Sequence, residues 1–322
     1  MNGFSIIIPT WNRSKLLFKI VEICLKNKEI FNKFEILICD SNSQDNTKNL
    51  KKIFKVKYIR HLHTKKNNIS AKRNLGIKKS RYEKLIFFDD DCIPNSKLLN
   101  EFRKNLDNNK TKNCIFFGKY FTDKRRVKTS NYHSYRNFKN SEVYKDFSLK
   151  KKLKFNNVIT GNMGFIKNRI IKKNIFFSEN LYGYGCEDVE WAFRLEKYRF
   201  KFLLMDAGCL HNETSKTFSN YLKKWTNMII YSVPTLKKIN YRCYSKMKFK
   251  MFEKKIFSNK LILFLIKKIY NFSLFLLIRL DKYKIFRIYS LYSLLVFFAC
   301  VIGSCEKKNI KNLNKWMNLG YK

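Results

Sequence analysis

Nine cysteines are scattered over 322 residues with no CxxC pair and no regular spacing. That excludes a disulfide framework and fits a reducing cytoplasm. Cys39, Cys114 and Cys209 lie in apolar runs, where a free thiol behaves as a small hydrophobe. No apolar run reaches the ~20 residues that a membrane-spanning helix needs. No signal peptide precedes the first strand-like run, which begins at Phe4, and no internal repeat recurs. Acids are scarce: 24 Asp and Glu stand against 68 Lys and Arg, a formal net charge of +44. Such an excess points to nucleic acid, an anionic lipid surface or a polyphosphate ligand. It is also what an AT-rich genome produces without any partner. No RNP, KH, zinc-finger or helix-turn-helix signature supports a nucleic-acid-binding protein, and a cluster of aspartates would oppose a phosphate backbone unless a metal intervened.

What is present reads as an α/β protein. Strand-like runs at 4–9, 34–40, 56–59 and 84–88 alternate with helical stretches, the first running to about Asn27 with Asn12 or Ser14 as its cap. Alternation of this kind implies βαβ units and a mostly parallel, Rossmann-like sheet flanked by helices. Right-handed crossovers then put the strand-end loops on one edge, so Pro9-Thr10-Trp11, Asp40 and the triplet Asp89-Asp90-Asp91 should face one crevice. Further strands are expected at 113–121 and 200–205. Residues 122–156 read as a long variable loop with one helix, and 158–166 as two short strand pieces around a Gly-Asn turn. The length permits a domain over 1–217, with a nucleotide half to about 110, followed by a helical C-terminal region over 218–322. There the apolar runs 261–266 and 274–278 are separated by Lys267-Lys268, and 288–303 is flanked by lysines. Such basic amphipathic helices lie on a membrane surface, or else pack on each other or on the first domain.

The triplet carries most of the chemistry. Unit charges ~4 Å apart repel by about 1 kcal/mol in water and about 4 kcal/mol at an effective dielectric near 20. Three carboxylates at the mouth of a sheet therefore call for a cation, and oxygen ligands favour Mg²⁺ or Mn²⁺; the plain alternative is a turn. Glu187-Asp188 opens a helix whose far end carries Arg194 and Lys197, a polarity that suits the helix dipole. A separate carboxylate in a metal-bearing cleft can also serve as general base. Together these describe a transferase with a nucleotide-activated donor; a nucleotidyltransferase is built from similar parts.

In order and spacing these segments resemble the family-2 glycosyltransferases of the GT-A fold, over about residues 4–212. Ser5-Ile6-Ile7-Ile8-Pro9-Thr10-Trp11-Asn12-Arg13 is similar to the opening strand and loop. The run from Ile36 to Thr47 is similar to the second strand, Ser70-Ala71-Lys72-Arg73-Asn74-Leu75-Gly76 to the Ala-Arg-Asn-x-Gly element, Asp89-Asp90-Asp91 to the DxD motif, and Gly185-Cys186-Glu187-Asp188 to the Gly-x-Glu-Asp segment. The resemblance implies an inverting transfer from a nucleotide sugar, a UDP-sugar first, to a glycan or lipid-linked acceptor in the synthesis of a bacterial surface glycan. It implies Asp188 as base, with Glu187 orienting the acceptor or standing in. It implies Pro9, Thr10, Trp11, Arg13, Asp40, Arg73, Asp89 and Asp90 around the nucleotide sugar, and Asp91 on a Mn²⁺ or Mg²⁺ ion. His211 fits a later histidine that ligates metal or diphosphate in some relatives, or is simply satisfied at a strand end. Trp191 could stack on a sugar or sit in the core. Cys186 stands where relatives often carry a large residue, so acceptor preference does not carry over. The site would lie in the cytoplasm, peripheral on the inner face of the membrane.

Overall fold

The computed structural model describes residues 3–54, 59–65, 67–108, 113–145, 152–212, 217–283 and 287–306. In chain order the elements are β1 (Phe4–Thr10), α1 (Ser14–Lys26), β2 (Phe34–Asp40), α2 (Leu50–Ile53), β3 (Ile59–His63), α3 (Ile69–Lys79), β4 (Lys84–Phe88), β5 (Cys92–Ile93), α4 (Ser96–Asp107), β6 (Cys114–Phe121), α5 (Lys124–Thr129), α6 (Asn131–Lys145), β7 (Lys152–Leu153), β8 (Asn162–Ile166), α7 (Asn168–Lys172), α8 (Glu187–Lys197) and β9 (Lys201–His211). There follow α9 (Phe218–Asn227), α10 (Val233–Ile239), α11 (Tyr241–Lys246), α12 (Lys260–Tyr283) and α13 (Tyr289–Glu306). The chain forms two compact units. One comprises Met1–Phe121, Asn140–Tyr182 and Glu187–Glu213; the other comprises Thr122–Lys139, Gly183–Cys186 and Thr214–Lys322.

The first unit is built on one mixed sheet, in the order β3-β2-β1-β4-β8-β6-β9-β5, with β7 beside β9. Strands β3, β2, β1 and β4 are all parallel, as alternation with helices demands. The central strands are buried on both faces, which explains their continuous apolar runs. Pro9 pairs with Cys39 of β2, and the ladder to β4 has ended two residues earlier at Ile7↔Phe87. A proline nitrogen therefore interrupts no bond on that side. Helix α3 lies close on the sheet: a Cβ at Gly76 would come within 2.4 Å of the Ile7 side chain. This helix buries Lys72, Arg73 and Asn74, so its inward face carries polar chemistry instead of an apolar stripe.

Several expectations need correction. Helix α1 is not capped by Asn12 or Ser14; the Ser14 amide donates to Asp45 Oδ2 at 2.7 Å, while Asn12 takes a left-handed φ of 52°. The third strand runs Ile59–His63, and 55–58 lie outside the described residues. Among its described residues, the stretch 122–156 contains two α-helices. Asp123 caps α5 by accepting from the amides of Arg125 and Arg126, and in α6 Tyr132 and Tyr135 are buried. Only Asn162–Ile166 of the 158–166 stretch is a strand, and the strand expected at 200–205 continues to His211.

The second unit has its own aromatic-rich core, drawn from Tyr132, Tyr135, Phe218, Tyr221, Ile266, Leu274, Tyr292 and Leu295 among others. Between α9 and α10 a π-turn, Met228–Ser232, precedes Pro234, which has no amide to donate. The two apolar runs around Lys267-Lys268 form one continuous helix, α12, and Lys260–Asp281 is long and apolar enough to cross a membrane by length and composition. The lysines do not break it because lysine is a good helix former whose stem packs while its charge reaches water.

Candidate active site

Two arginines organise the acids. Arg13 Nη1 reaches Asp90 Oδ1 at 2.6 Å and Asp91 Oδ2 at 3.2 Å. Arg73, fully buried, donates from Nη2 to Asp89 at 3.1 Å and from Nη1 to Glu187 at 3.3 Å and Asp188 at 3.1 Å. A single guanidinium thus joins the triplet after β4 to the acids that open α8, itself reaching Asp188 across 115 residues of chain. The two acidic groups expected to share a cleft do converge.

Each side chain is placed by its element. Thr10, the last residue of β1, donates from Oγ1 to Asp90 Oδ2 at 2.8 Å, and the Trp11 amide points to the same oxygen at 3.4 Å. Lys72 donates to the Thr10 carbonyl at 3.1 Å and to Asn67 Oδ1 at 2.9 Å. Antiparallel pairing of Cys92 with His211 brings that imidazole beside the triplet, with Nε2 3.6 Å from Asp91 Oδ1. Asp40 ends β2 in register with Thr10. It accepts from Ser43 Oγ at 2.6 Å and lies 3.1 Å from His61 Nε2. Pro9 is buried within β1, whereas Trp11 is exposed. Trp191 is core: it is fully buried, stacks on Phe177 at 4.3 Å and donates Nε1 to the Ile175 carbonyl.

Sequence reasoning missed Thr160 and Gly161. Thr160 donates its hydroxyl to Asp188 Oδ1 and its amide to Oδ2 at 3.4 Å. A Cβ at Gly161 would stand 2.5 Å from Asp89 Oδ2 and 3.0 Å from the Tyr120 hydroxyl, so only glycine leaves Asp89 its place. The Gly-Asn turn was visible in the sequence, but nothing in it pointed to Asp188. Just before α8, Gly185 and Cys186 are both left-handed, at φ 79° and 74°. Glycine adopts this freely; cysteine does so at a cost of about 1–2 kcal/mol, local strain directly preceding Glu187.

Burial sets the protonation states. Three carboxylates share Arg73, and burial with the neighbouring Asp188 charge outweighs that cation and pushes Glu187 up to about 8. Asp90 is raised to about 6 by burial and by Asp91 and Asp89, against Arg13. Asp40 is raised by burial, but the hydrogen bonds from His61 and Ser43 prevail and hold it below the usual range. Burial lowers Lys72. Because folded Glu187 retains a proton that the unfolded chain loses above its ordinary value of 4.5, this group's contribution is full below about 4.5 and is lost as pH rises to about 8. Glu187→Gln should therefore flatten the fall in stability across that window. Urea denaturation of both proteins at its two ends checks this, and equal slopes would refute it.

The donor set at the triplet suits a hard divalent ion. Asp91 Oδ1 and His211 Nε2 face each other, and Cys92, which completes the group, has its thiol pushed well up by burial. Asp91 supplies the oxygen that such an ion prefers, and His211 an imidazole nitrogen beside it.

A mixed α/β sheet with an acidic triplet at the C-terminal end of a central strand, tied to a second acidic pair, defines a GT-A type glycosyltransferase. The profile described as "Glycosyl transferase family 2" matches residues 5–174, more than half the chain, and the chain belongs to that family. A hyaluronan synthase of Pasteurella multocida is 27% identical over 235 residues, 64% of this chain and 24% of that protein. The poly(ribitol-phosphate) beta-N-acetylglucosaminyltransferase TarP of Staphylococcus aureus (strain N315) is 32% identical over 124 residues, 37% of each chain. The chain thus spans about a quarter to a third of the length of these relatives. In fold it is similar to S. aureus TarS 1-349 (TM-score 0.51, 15% identity, covering 97% of this chain and 91% of that one). It is also similar to the mannosyltransferase PcManGT of Pyrobaculum calidifontis, solved with GDP-Man and Mn²⁺ (TM-score 0.60, 12% identity, covering 97% and 88%).

Proposed function

We propose that this glycosyltransferase moves a sugar, with inversion, from a nucleotide sugar to a hydroxyl of a glycan or lipid-linked glycan. The observation that carries the reading is the Arg73 bridge, which fixes Asp89 and Asp188 in one cleft. Asp188 Oδ1 accepts from Arg73 and Thr160, whereas Oδ2 has the longer amide contact of Thr160 at 3.4 Å. Oδ2 is the base. It takes the acceptor's hydroxyl proton as that oxygen bonds to the anomeric carbon, while the bond to the diphosphate breaks on the opposite face and a nucleoside diphosphate leaves. Glu187, protonated at neutral pH and buried, positions Arg73 and Asp188 and is not itself the base. Asp91 and His211 would hold Mn²⁺ or Mg²⁺, which supplies neutralisation of the diphosphate charge. Pro9, Thr10, Trp11, Arg13, Asp40, Asp89 and Asp90 form the donor side; Arg73 acts from behind it, its terminal nitrogens spent on Asp89, Glu187 and Asp188.

UDP-sugars are the first donors to test, and the GDP-Man and Mn²⁺ bound by the mannosyltransferase neighbour make GDP-mannose the second. The assay is a panel of nucleotide sugars followed by nucleoside-diphosphate release, with and without divalent metal. Metal-dependent release that Asp91→Ala abolishes supports the reading. Pyrophosphate release would mean a nucleotidyltransferase, and no turnover of any donor would refute both.

We further propose that the enzyme works peripherally on the inner face of a membrane. In support, α12 is apolar on two sides. Ile266, Tyr270, Leu274 and Leu277 are buried in the second unit's core, while Leu261, Phe264, Phe272 and Phe275 form an exposed stripe, Phe272 at 68%. Lys268 and Arg279 lie over Phe264 and Phe275 on that stripe. Aromatics flanked by cations suit anionic headgroups above acyl chains. Burying a phenylalanine contributes about 1.5–3 kcal/mol. Phe272→Glu with Phe275→Glu should therefore lower cosedimentation with anionic vesicles at least about tenfold; unchanged binding would count against this surface.

A further inference from the structure

The pocket end of β2 carries a second set of donor atoms, in which Asp40 is joined by two histidines that the transfer reaction does not use. In the parallel pairing of β2 with β3, Ile38 lies opposite His61 and Asp40 opposite His63. Side chains two apart on a strand share a face, so the sequence His61-Leu62-His63 presents two imidazoles beside one carboxylate. His61 Nε2 is 3.1 Å and His63 Nδ1 is 3.9 Å from Asp40 Oδ2. The three donor atoms all lie within 4.8 Å of one another. A tetrahedral zinc ion with bonds of about 2.0–2.1 Å holds its ligands roughly 3.3 Å apart, so a small closure of the exposed His63 completes the set. Solvent at His63, whose side chain is 53% exposed, supplies the entry path and a fourth ligand.

We propose that Asp40, His61 and His63 form a site for a borderline-soft divalent metal of the zinc class, separate from the triplet. Its chemistry differs from that of the triplet. Two imidazoles and one carboxylate favour zinc, nickel or copper over magnesium and manganese, which prefer oxygen. Lys51 is the opposing charge near His63; it is exposed and free to turn into water.

The site has a regulatory consequence that rests on the donor reading above. Asp40 is there a contact of the nucleotide, and a metal held by its Oδ2 withdraws that carboxylate. Zinc then competes with the donor nucleotide, whereas magnesium and manganese assist turnover.

The test uses the full chain in two arms. In the first, Zn²⁺ alone is titrated by calorimetry, and Co²⁺ alone is read by its visible absorption, which is intense for tetrahedral nitrogen and oxygen ligation. Wild type should bind. His63→Ala, an exposed change that leaves the core untouched, should lose at least about tenfold in Zn²⁺ affinity, the scale of loss when a metal site's supporting group is removed, and should lose the cobalt band. Absence of Zn²⁺ binding, or equal binding by the variant, overturns the site. In the second arm, UDP and GDP are titrated with and without Zn²⁺. Weakened nucleotide binding that His63→Ala restores supports competition, and simultaneous binding overturns it. Failure of both nucleotides to bind in the absence of zinc overturns the donor reading, and the competition with it, while the first arm still decides the metal site.

Discussion

Arg73→Met is expected to cost about 3–5 kcal/mol of stability, the scale for stripping the partner from buried charges. The guanidinium is buried and spends both terminal nitrogens on Asp89, Glu187 and Asp188. Without it the Asp89 and Asp188 carboxylates would face each other beside the Glu187 carboxyl with no cation between them. Urea midpoints measure the loss. The deficit should narrow as pH falls, because the orphaned acids take up protons more readily than in the parent, and protonation removes their repulsion. Arg73→Lys should recover only part of it: one ammonium is a point charge and cannot span carboxylates on both sides as a planar fork does. A variant as stable as the parent, with the same pH profile, would mean that the bridge does not hold these elements together.

Asp188→Asn should carry the largest loss of activity, about 10²–10⁴-fold in kcat, the range for removing a general base. Asparagine matches the size of aspartate and can still accept from Thr160 and Arg73 through its carbonyl oxygen, so the fold and the donor pocket should survive. The informative measurement pairs turnover with direct binding of nucleoside diphosphate. Turnover should collapse while binding stays within a few-fold. Equal losses in both would assign Asp188 to donor binding, and unchanged turnover would take the base away from this residue.

What the sequence disclosed, and what it hid, follows from the range of the interactions. Strands β1, β2 and β4 were legible because a strand buried on both faces must be apolar along its length, and the abrupt change to aspartate after Phe88 marked the ligand edge. The acids of α8 were legible from their place at a helix start. Hidden were the contacts made by residues far apart in sequence. Asp45 caps α1 from 31 residues away. Thr160 holds Asp188, and Arg73 is a buried bridge although a basic residue on a helix ordinarily reads as surface. The grouping of His61 and His63 with Asp40 needed the register of β2 on β3. Where one helix was expected between 122 and 156 there are two, α5 and α6, for another reason: their residues are polar, basic and aromatic, and the buried tyrosines of α6 do not stand out as an apolar stripe. Continuity of α12 was masked by two lysines, whose charge interrupts a hydropathy run but not a helix.

That two-sided helix also governs how the protein behaves once removed from the cell. In plain buffer the stripe from Leu261 to Phe275 has only other copies of itself to meet, and greasy faces of this kind drive self-association. Preparations without detergent should therefore elute as broad, concentration-dependent species that a mild surfactant collapses to a single peak.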